Sequence, residues 1–183
     1  MRFLLLLLLT LIAPTLSADA WKGEAKAEFF GTSTLHDWSG HVPLKPFKAE
    51  VTLTDGHPSR ILAQLEAGVV EMDTENEGRD EKMHKAMRAE EHPLIIGNAD
   101  WRIPRDLVHE GPGKVPIALT LLGGKRTVEA TVTGWKRTEA GLEFDCEFSL
   151  SLKENGIEIP SFLLFIKVGD EIRVKTRVSL RRS

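Results

Sequence analysis

The chain has 183 residues, with 24 Lys+Arg against 27 Asp+Glu and a net charge of −3. That length suits one domain with a sizeable core, and the balanced charge excludes a basic nucleic-acid footprint or a polybasic grip on anionic lipid. Apolar residues make up 42%, too many for a disordered chain, and the single cysteine, Cys146, excludes an intramolecular disulfide and any multi-cysteine metal site.

Residues 1–20 read as a secretory signal peptide. Arg2 supplies a positive start, residues 3–12 an apolar run, and Ala18-Asp19-Ala20 a small-x-small pattern that predicts cleavage after Ala20 or Ala18. The alternative is a retained signal anchor, for which the apolar run is short. Removing residues 1–20 takes away Arg2 and Asp19 and leaves the charge at −3. Export is therefore expected, with the bacterial periplasm as destination, where a lone thiol is the most that an oxidising compartment comfortably tolerates.

The remainder reads as strands. Residues 24–31 are an irregular candidate, and residues 47–54 alternate apolar and polar side chains through Phe47, Ala49, Val51 and Leu53. Residues 61–72 form a second irregular candidate. Only residues 76–91 break the period of two: Met83, Ala86 and Met87 share one face of a predicted amphipathic helix that His92-Pro93 ends. Strands resume at 94–101 and at 115–121, where Gly123-Gly124 offers the positive φ angles of a tight hairpin. Residues 128–133 alternate again. The clearest strand is 142–152, apolar at Leu142, Phe144, Cys146, Phe148, Leu150 and Leu152, and residues 172–180 repeat its pattern. Short connections make the sheet antiparallel, since parallel strands need crossover helices. One dry face per strand fits two packed sheets or a closed barrel of about eight strands, and periodicity alone does not choose.

Polar residues offer little chemistry. Ser33, His36 and Asp37 invite a triad reading, but a triad is a spatial constellation that one turn rarely supplies, and no nucleophile elbow is present. The spacings His36/His41 and His84/His92 match no metal pattern. No enzyme activity, no catalytic residue, no metal and no cofactor are expected. Cys146 on a dry face reads as an inert small hydrophobe.

Several motifs together resemble the YceI-like family of bacterial periplasmic proteins, described as polyisoprenoid-binding or lipocalin-like. They are Ser33-Thr34-Leu35-His36-Asp37-Trp38-Ser39-Gly40; Arg79-Asp80 with Met83, Met87 and His92-Pro93-Leu94-Ile95; Leu119-Thr120-Leu121-Leu122-Gly123; and Pro160-Ser161-Phe162 followed by Val168-Gly169-Asp170-Glu171-Ile172. Leu122 stands where many members carry histidine, and Gly124 replaces a larger residue. The resemblance implies an all-β, lipocalin-like, extended antiparallel eight-stranded barrel with one amphipathic helix, occupying residues 21–183. It also implies binding of an amphiphilic lipid of the polyisoprenoid class in an apolar channel, and a homodimer.

Under that reading the channel is lined by Leu65, Val69, Met83, Met87 and Leu119, by Val128, Val132, Phe144 and Phe148, and by Leu150, Phe162, Val174 and Val178. His36 and Trp38 close a barrel end beside the head group. Methionine thioethers suit a variable lipid surface. Two other classes stay open: an envelope interaction module with a filled core, and an enzyme acting on a hydrophobic substrate through His36 or Asp37.

Overall fold

The computed structural model describes residues 18–104, 113–159 and 167–183. Most of the expected signal peptide, and the Pro160-Ser161-Phe162 motif, lie outside the described residues. Among those described, the chain runs β1 (Ala18–Gly31), β2 (Trp38–Val42), β3 (Phe47–Thr54) and β4 (His57–Gly68). A short 3₁₀ turn (Val69–Glu71) and one helix, α1 (Glu77–Ala86), follow. The strands then continue as β5 (Leu94–Arg102), β6 (Gly113–Leu121), β7 (Gly124–Arg137), β8 (Gly141–Ser151) and β9 (Glu171–Arg182).

All pairings between these strands are antiparallel, in the order β2-β1-β3-β4-β5-β6-β7-β8-β9, and β1 returns to pair with β9. That last pairing, from Trp21–Arg182 to Phe30–Arg173, closes the sheet and decides for a barrel over a sandwich. The other edge of β1 is shared: Ala18–Gly23 pairs with β3 and Ala27–Gly31 with β2. Strands β2 and β3 thus make one bent stave, so the nine strands form an eight-stave barrel. Isolated bridges from His41 to Asp73 and from Leu44 to Ala67 carry the bent stave along the end of β4.

Two turns show how the sequence sets register. In the β3–β4 loop Asp55 (φ 52°) and Gly56 (φ 75°) both take the left-handed conformation, as a two-residue type I′ hairpin requires. The β6–β7 hairpin does the same with Leu122 (φ 50°) and Gly123 (φ 73°), because Leu121 pairs with Gly124. The expected Gly123-Gly124 turn therefore sits one residue earlier, and a leucine adopts a conformation that its side chain disfavours. Outward faces carry cross-strand ion pairs. Arg60 donates two hydrogen bonds to Asp100 (2.7 and 2.6 Å), and Arg177 Nε donates to Asp145 at 2.8 Å. At such exposure these pairs favour the register and add little net stability.

Helix α1 is shorter than the expected 76–91. Asn76 caps its start, the side-chain oxygen accepting from the Arg79 N–H at 3.0 Å. Its end is a Schellman motif, Arg88 N–H donating to the Lys85 carbonyl and Ala89 N–H to that of His84. Met83, Ala86 and Met87 turn toward Val69, Leu121 and Ile157, so the helix packs across one end of the barrel. At the other end Trp21, Val51, Trp101, Val132, Leu142 and Leu180 belong to a solid core.

Candidate ligand-binding cavity

Between the helix and that solid core the barrel is hollow. The cavity has a volume of about 450 Å³, within the usual 300–1,000 Å³ of small-molecule sites. Its wall is the inward face of the strands, as alternation requires. The polar residues on it are few: Ser33, His36, Asn76, Arg79 and Thr176. The first four come from the β1–β2 loop and the start of α1, and so gather at one end.

The aromatic part of the wall has a local cause. Phe29 faces Gly40 across the β1–β2 pair, Trp38 faces Gly31, and Phe47 faces Gly23 across β1–β3. In each pair a Cβ on the glycine would lie 2.2–2.4 Å from the ring. Each ring thus lies flat over a residue that must lack a side chain. Phe29 and Trp38 also meet edge to face at 5.9 Å between centroids. All three rings line the cavity.

The floor consists of Ile61, Trp101, Val115, Phe144, Val178 and Leu180, which border the cavity and belong to the solid core. Trp101 meets Trp135 edge to face at 5.5 Å and Phe144 in a tilted arrangement at 5.7 Å, and Trp135 stacks on Phe144. Beneath them Trp21, Ala49, Val51, Val132 and Leu142 are each at most 3% exposed. The Trp101 indole N–H is buried and has no hydrogen-bond partner among the described residues.

At the mouth, the Ser33 hydroxyl donates to the His36 carbonyl at 2.7 Å and accepts from the N–H groups of Leu35 and His36. That hydroxyl stiffens the turn; its partners are backbone groups, where a triad would use the imidazole. The loop is tied to the chain before β9 by Thr34 N–H on the Lys167 carbonyl and Gly169 N–H on that of Thr32. Arg79 lies 5.7 Å over the Trp38 ring, with Nε donating to Thr74 Oγ1 at 3.0 Å. Thr74, 4% exposed, donates in turn to Asp80 at 2.6 Å. None of the ion pairs among the described residues uses Arg79. Leu35, 69% exposed, stands at the rim.

The structure brings together on this wall Leu65, Met83, Met87, Leu119 and Phe144, and also Phe148, Leu150, Val174 and Val178, with His36 and Trp38 at the mouth. It places three expected lining residues elsewhere. Val69 is 1% exposed in the 3₁₀ turn behind the helix, and Val132 is 1% exposed within the solid core. Val128 is half-buried on β7 and is not among the cavity residues. Phe162 lies outside the described residues. Sequence reasoning missed Phe29, Phe47, Trp101 and Arg79. For Trp101 the signal was present, since Ile95, Gly97, Ala99 and Trp101 alternate along β5 onto the wall. For Phe29 and Phe47 it was absent, because a ring over a glycine is a cross-strand relation.

Cys146 also borders the cavity. Burial, reinforced by the neighbouring Asp145 carboxylate, pushes its thiol up to about 12, so it is neutral and unreactive at physiological pH. Among the described residues no group of three His, Cys, Asp or Glu is arranged to hold a metal. No described helix is long and apolar enough to cross a membrane.

A closed antiparallel barrel, filled at one end and hollow at the other, is a lipocalin-like architecture. The chain belongs to the YceI-like domain family, whose model matches residues 21–180. Its fold is similar to that of BcnA from Burkholderia cenocepacia (TM-score 0.69, 16% identity, covering 85% of this chain and 95% of that one). A polyisoprenoid binding domain from Saccharophagus degradans, implicated in plant cell wall breakdown, gives TM-score 0.60 at 9% identity, over 91% of this chain and 100% of that one. The YCEI protein of Campylobacter jejuni gives 0.56 at 15%, over 79% and 84%. No curated protein sequence matches the chain.

Proposed function

We propose that this protein is an exported carrier that sequesters an amphiphilic lipid of the polyisoprenoid class, with the hydrocarbon in the barrel and the head group at the mouth. The observation that carries this reading is the segregation of the cavity. Its wall is apolar from Phe144 up to Leu150 apart from the hydroxyl of Thr176, and its charged group, Arg79, stands at the opening with His36, Asn76 and Ser33. Such a wall offers dispersion and water exclusion with few directional contacts. Each buried methylene yields roughly 0.8 kcal/mol before association costs, so retention needs no covalent or catalytic step. The polyisoprenoid binding named for the Saccharophagus relative supports the ligand class.

Export rests on the N-terminal pattern, and β1 is compatible with cleavage. Trp21 is the first buried residue of β1, paired with Ala49 on one side and Arg182 on the other, while Ala18–Ala20 are exposed. A chain starting at Asp19 or Trp21 keeps that anchor.

The test is to purify the protein from its own envelope without detergent, extract it with organic solvent and identify the extract by mass spectrometry. One isoprenoid species at near-stoichiometric amount is the expected result. An empty extract from folded protein would sink the carrier reading and leave an interaction module.

A further inference from the structure

Three large hydrophobic side chains stand exposed among the described residues, Leu35, Val70 (63%) and Leu94 (43%), and all three lie at the end of the barrel where the cavity opens. We propose that this end docks on a lipid bilayer, with the three side chains inserted among the lipids, so that cargo passes between membrane and cavity without crossing water. The proposal rests on the carrier reading above and adds the surface through which the carrier loads.

Chain direction places the three residues. Strand β1 runs up to Gly31 and β2 starts opposite it at Trp38, so the 32–37 loop that carries Leu35 lies at the mouth. Strand β4 ends at Gly68, which pairs with Leu94 at the start of β5, and the Val69 N–H donates to the Pro93 carbonyl. Val70 and Leu94 therefore stand on adjoining segments of the same end. Asp73 exchanges both backbone hydrogen bonds with His41, which ties the segment after Val70 to β2, the strand that follows the Leu35 loop. The described turns at the opposite end, Asp55-Gly56 and Thr138-Glu139-Ala140, hold no large hydrophobic residue.

Leu35 is presented on a stiff loop. Ser33 closes its turn, and Thr34 donates its N–H to the Lys167 carbonyl and accepts the Lys167 N–H on Oγ1 at 3.2 Å. Leu35 is both exposed and part of the cavity wall, so the apolar lining continues over the rim to the outside. Single exposed hydrophobics are ordinary; their gathering at the end with the cavity mouth, and the continuity of Leu35 with the wall, carry the assignment.

Size and charge choose the occupant. The apolar area of three aliphatic side chains falls short of the ~800 Å² per partner that a stable protein interface buries. A bilayer demands no complementary shape, and binding to it scales with the apolar area buried. The net charge of −3, and the mixed charges of exposed Asp37 and Lys167 beside Leu35, supply no grip on anionic lipid, so apolar insertion drives the contact. The three side chains carry fewer carbons than one myristoyl chain, which alone binds membranes reversibly with a constant of about 10⁴ M⁻¹. Docking of that order or weaker lets the loaded protein leave.

The experiment mixes the protein with vesicles of phosphatidylcholine, alone or with phosphatidylglycerol, at millimolar lipid. A polarity-sensitive dye is attached at Asp37→Cys beside the mouth or at Glu139→Cys at the far end; Cys146 is buried and stays unlabelled. The dye at position 37 is expected to report an apolar environment with either vesicle, at low and high salt alike, and the dye at position 139 is not. Val70→Gln combined with Leu94→Gln should weaken partition about tenfold, the equivalent of ~1.4 kcal/mol. Uptake of geranylgeraniol from solution should stay native in that variant, because neither residue borders the cavity. Docking is overturned by no response at position 37, by equal responses at both positions, or by unchanged partition of the double variant. A response that needs phosphatidylglycerol and vanishes in salt overturns it too. A dye response without vesicles, with a doubled mass in light scattering, would give the face to a second copy and likewise overturn it. Each of these outcomes leaves the carrier standing where geranylgeraniol is taken up; a protein that docks but takes up no prenol overturns the carrier reading instead.

Discussion

At the residue scale, Cys146 reports on the interior. Its thiol is raised from its ordinary value of 9.0 to about 12 because the folded barrel disfavours the thiolate. The sign follows from linkage: the unfolded chain loses its proton first, so this contribution to stability is complete below pH 9 and is lost as pH rises from about 9 to 12. The loss is ~1.4 kcal/mol per pH unit within that window. Urea denaturation of the native protein and of Cys146→Ala, at pH 8 and pH 10.5, tests it. The stability gap between the two should narrow by about 2 kcal/mol at the higher pH. Parallel midpoints would show that the thiol is wetter than its 9% exposure implies. Asp170 works in the opposite direction. Its carboxylate is held below its usual range first by the Lys153 N–H and then by the Ser151 hydroxyl, so its support of the turn after β8 is present at neutral pH and fades in acid.

At the scale of elements, the end of α1 contains a correctable strain. Arg88 occupies the first position past the C-cap with φ 47°, a place where glycine escapes the Cβ penalty. Its ion pair with Glu91 is long, at 3.9 Å, and exposed, so little is lost with the side chain. Arg88→Gly should raise stability by about 0.5–1 kcal/mol, and Arg88→Val should lower it, both read from denaturation midpoints. A destabilised glycine variant would mean that the loop relaxes in solution. The same element shows where the sequence stops being legible. The apolar face Met83, Ala86 and Met87 was readable, yet the helix end is set by a backbone motif around an arginine, which no side-chain pattern announces. Strand β4 likewise ends at Gly68, ahead of the expected 72, because Val69–Glu71 turns into a 3₁₀ segment whose Val69 N–H donates to the Pro93 carbonyl. Strand β2 escaped notice because it has five residues with Gly40 at its centre. Its partner ring, Phe29, sits on β1, and that cross-strand relation leaves no mark in the alternation of either strand.

Taken as a whole, the molecule is half solid and half hollow, and this division was the least legible feature. Alternation marks an inward side chain, and Val132 and Val174 alternate equally well. One packs against Leu142, Cys146 and the tryptophans and the other faces open space, because ring volumes at each level decide how much of the bore is filled. The hollow half has an energetic consequence. In closed cavities each Å³ left unfilled costs ~24 cal/mol, so 450 Å³ bounds the penalty at roughly 10 kcal/mol. Water entering by the mouth relieves part of this and wets an apolar wall instead. Occupation by a chain should therefore act as a folding force. Hexadecanoate at one hundred times its dissociation constant is expected to stabilise the barrel by ~2.7 kcal/mol. For a chain of this length that raises the melting temperature by roughly 5–10 °C. Octanoate at the same free concentration should achieve a small fraction of this, since eight fewer methylenes are buried and its sites stay largely empty. Scanning calorimetry with both compounds, and with Gly97→Leu, which narrows the cavity that Gly97 borders, beside the native protein, separates cavity filling from nonspecific adsorption. Filling makes the shift depend on chain length and shrink in the variant. Adsorption to the outer faces would leave the two proteins alike, and that outcome would remove the lipid from the energetics of the fold.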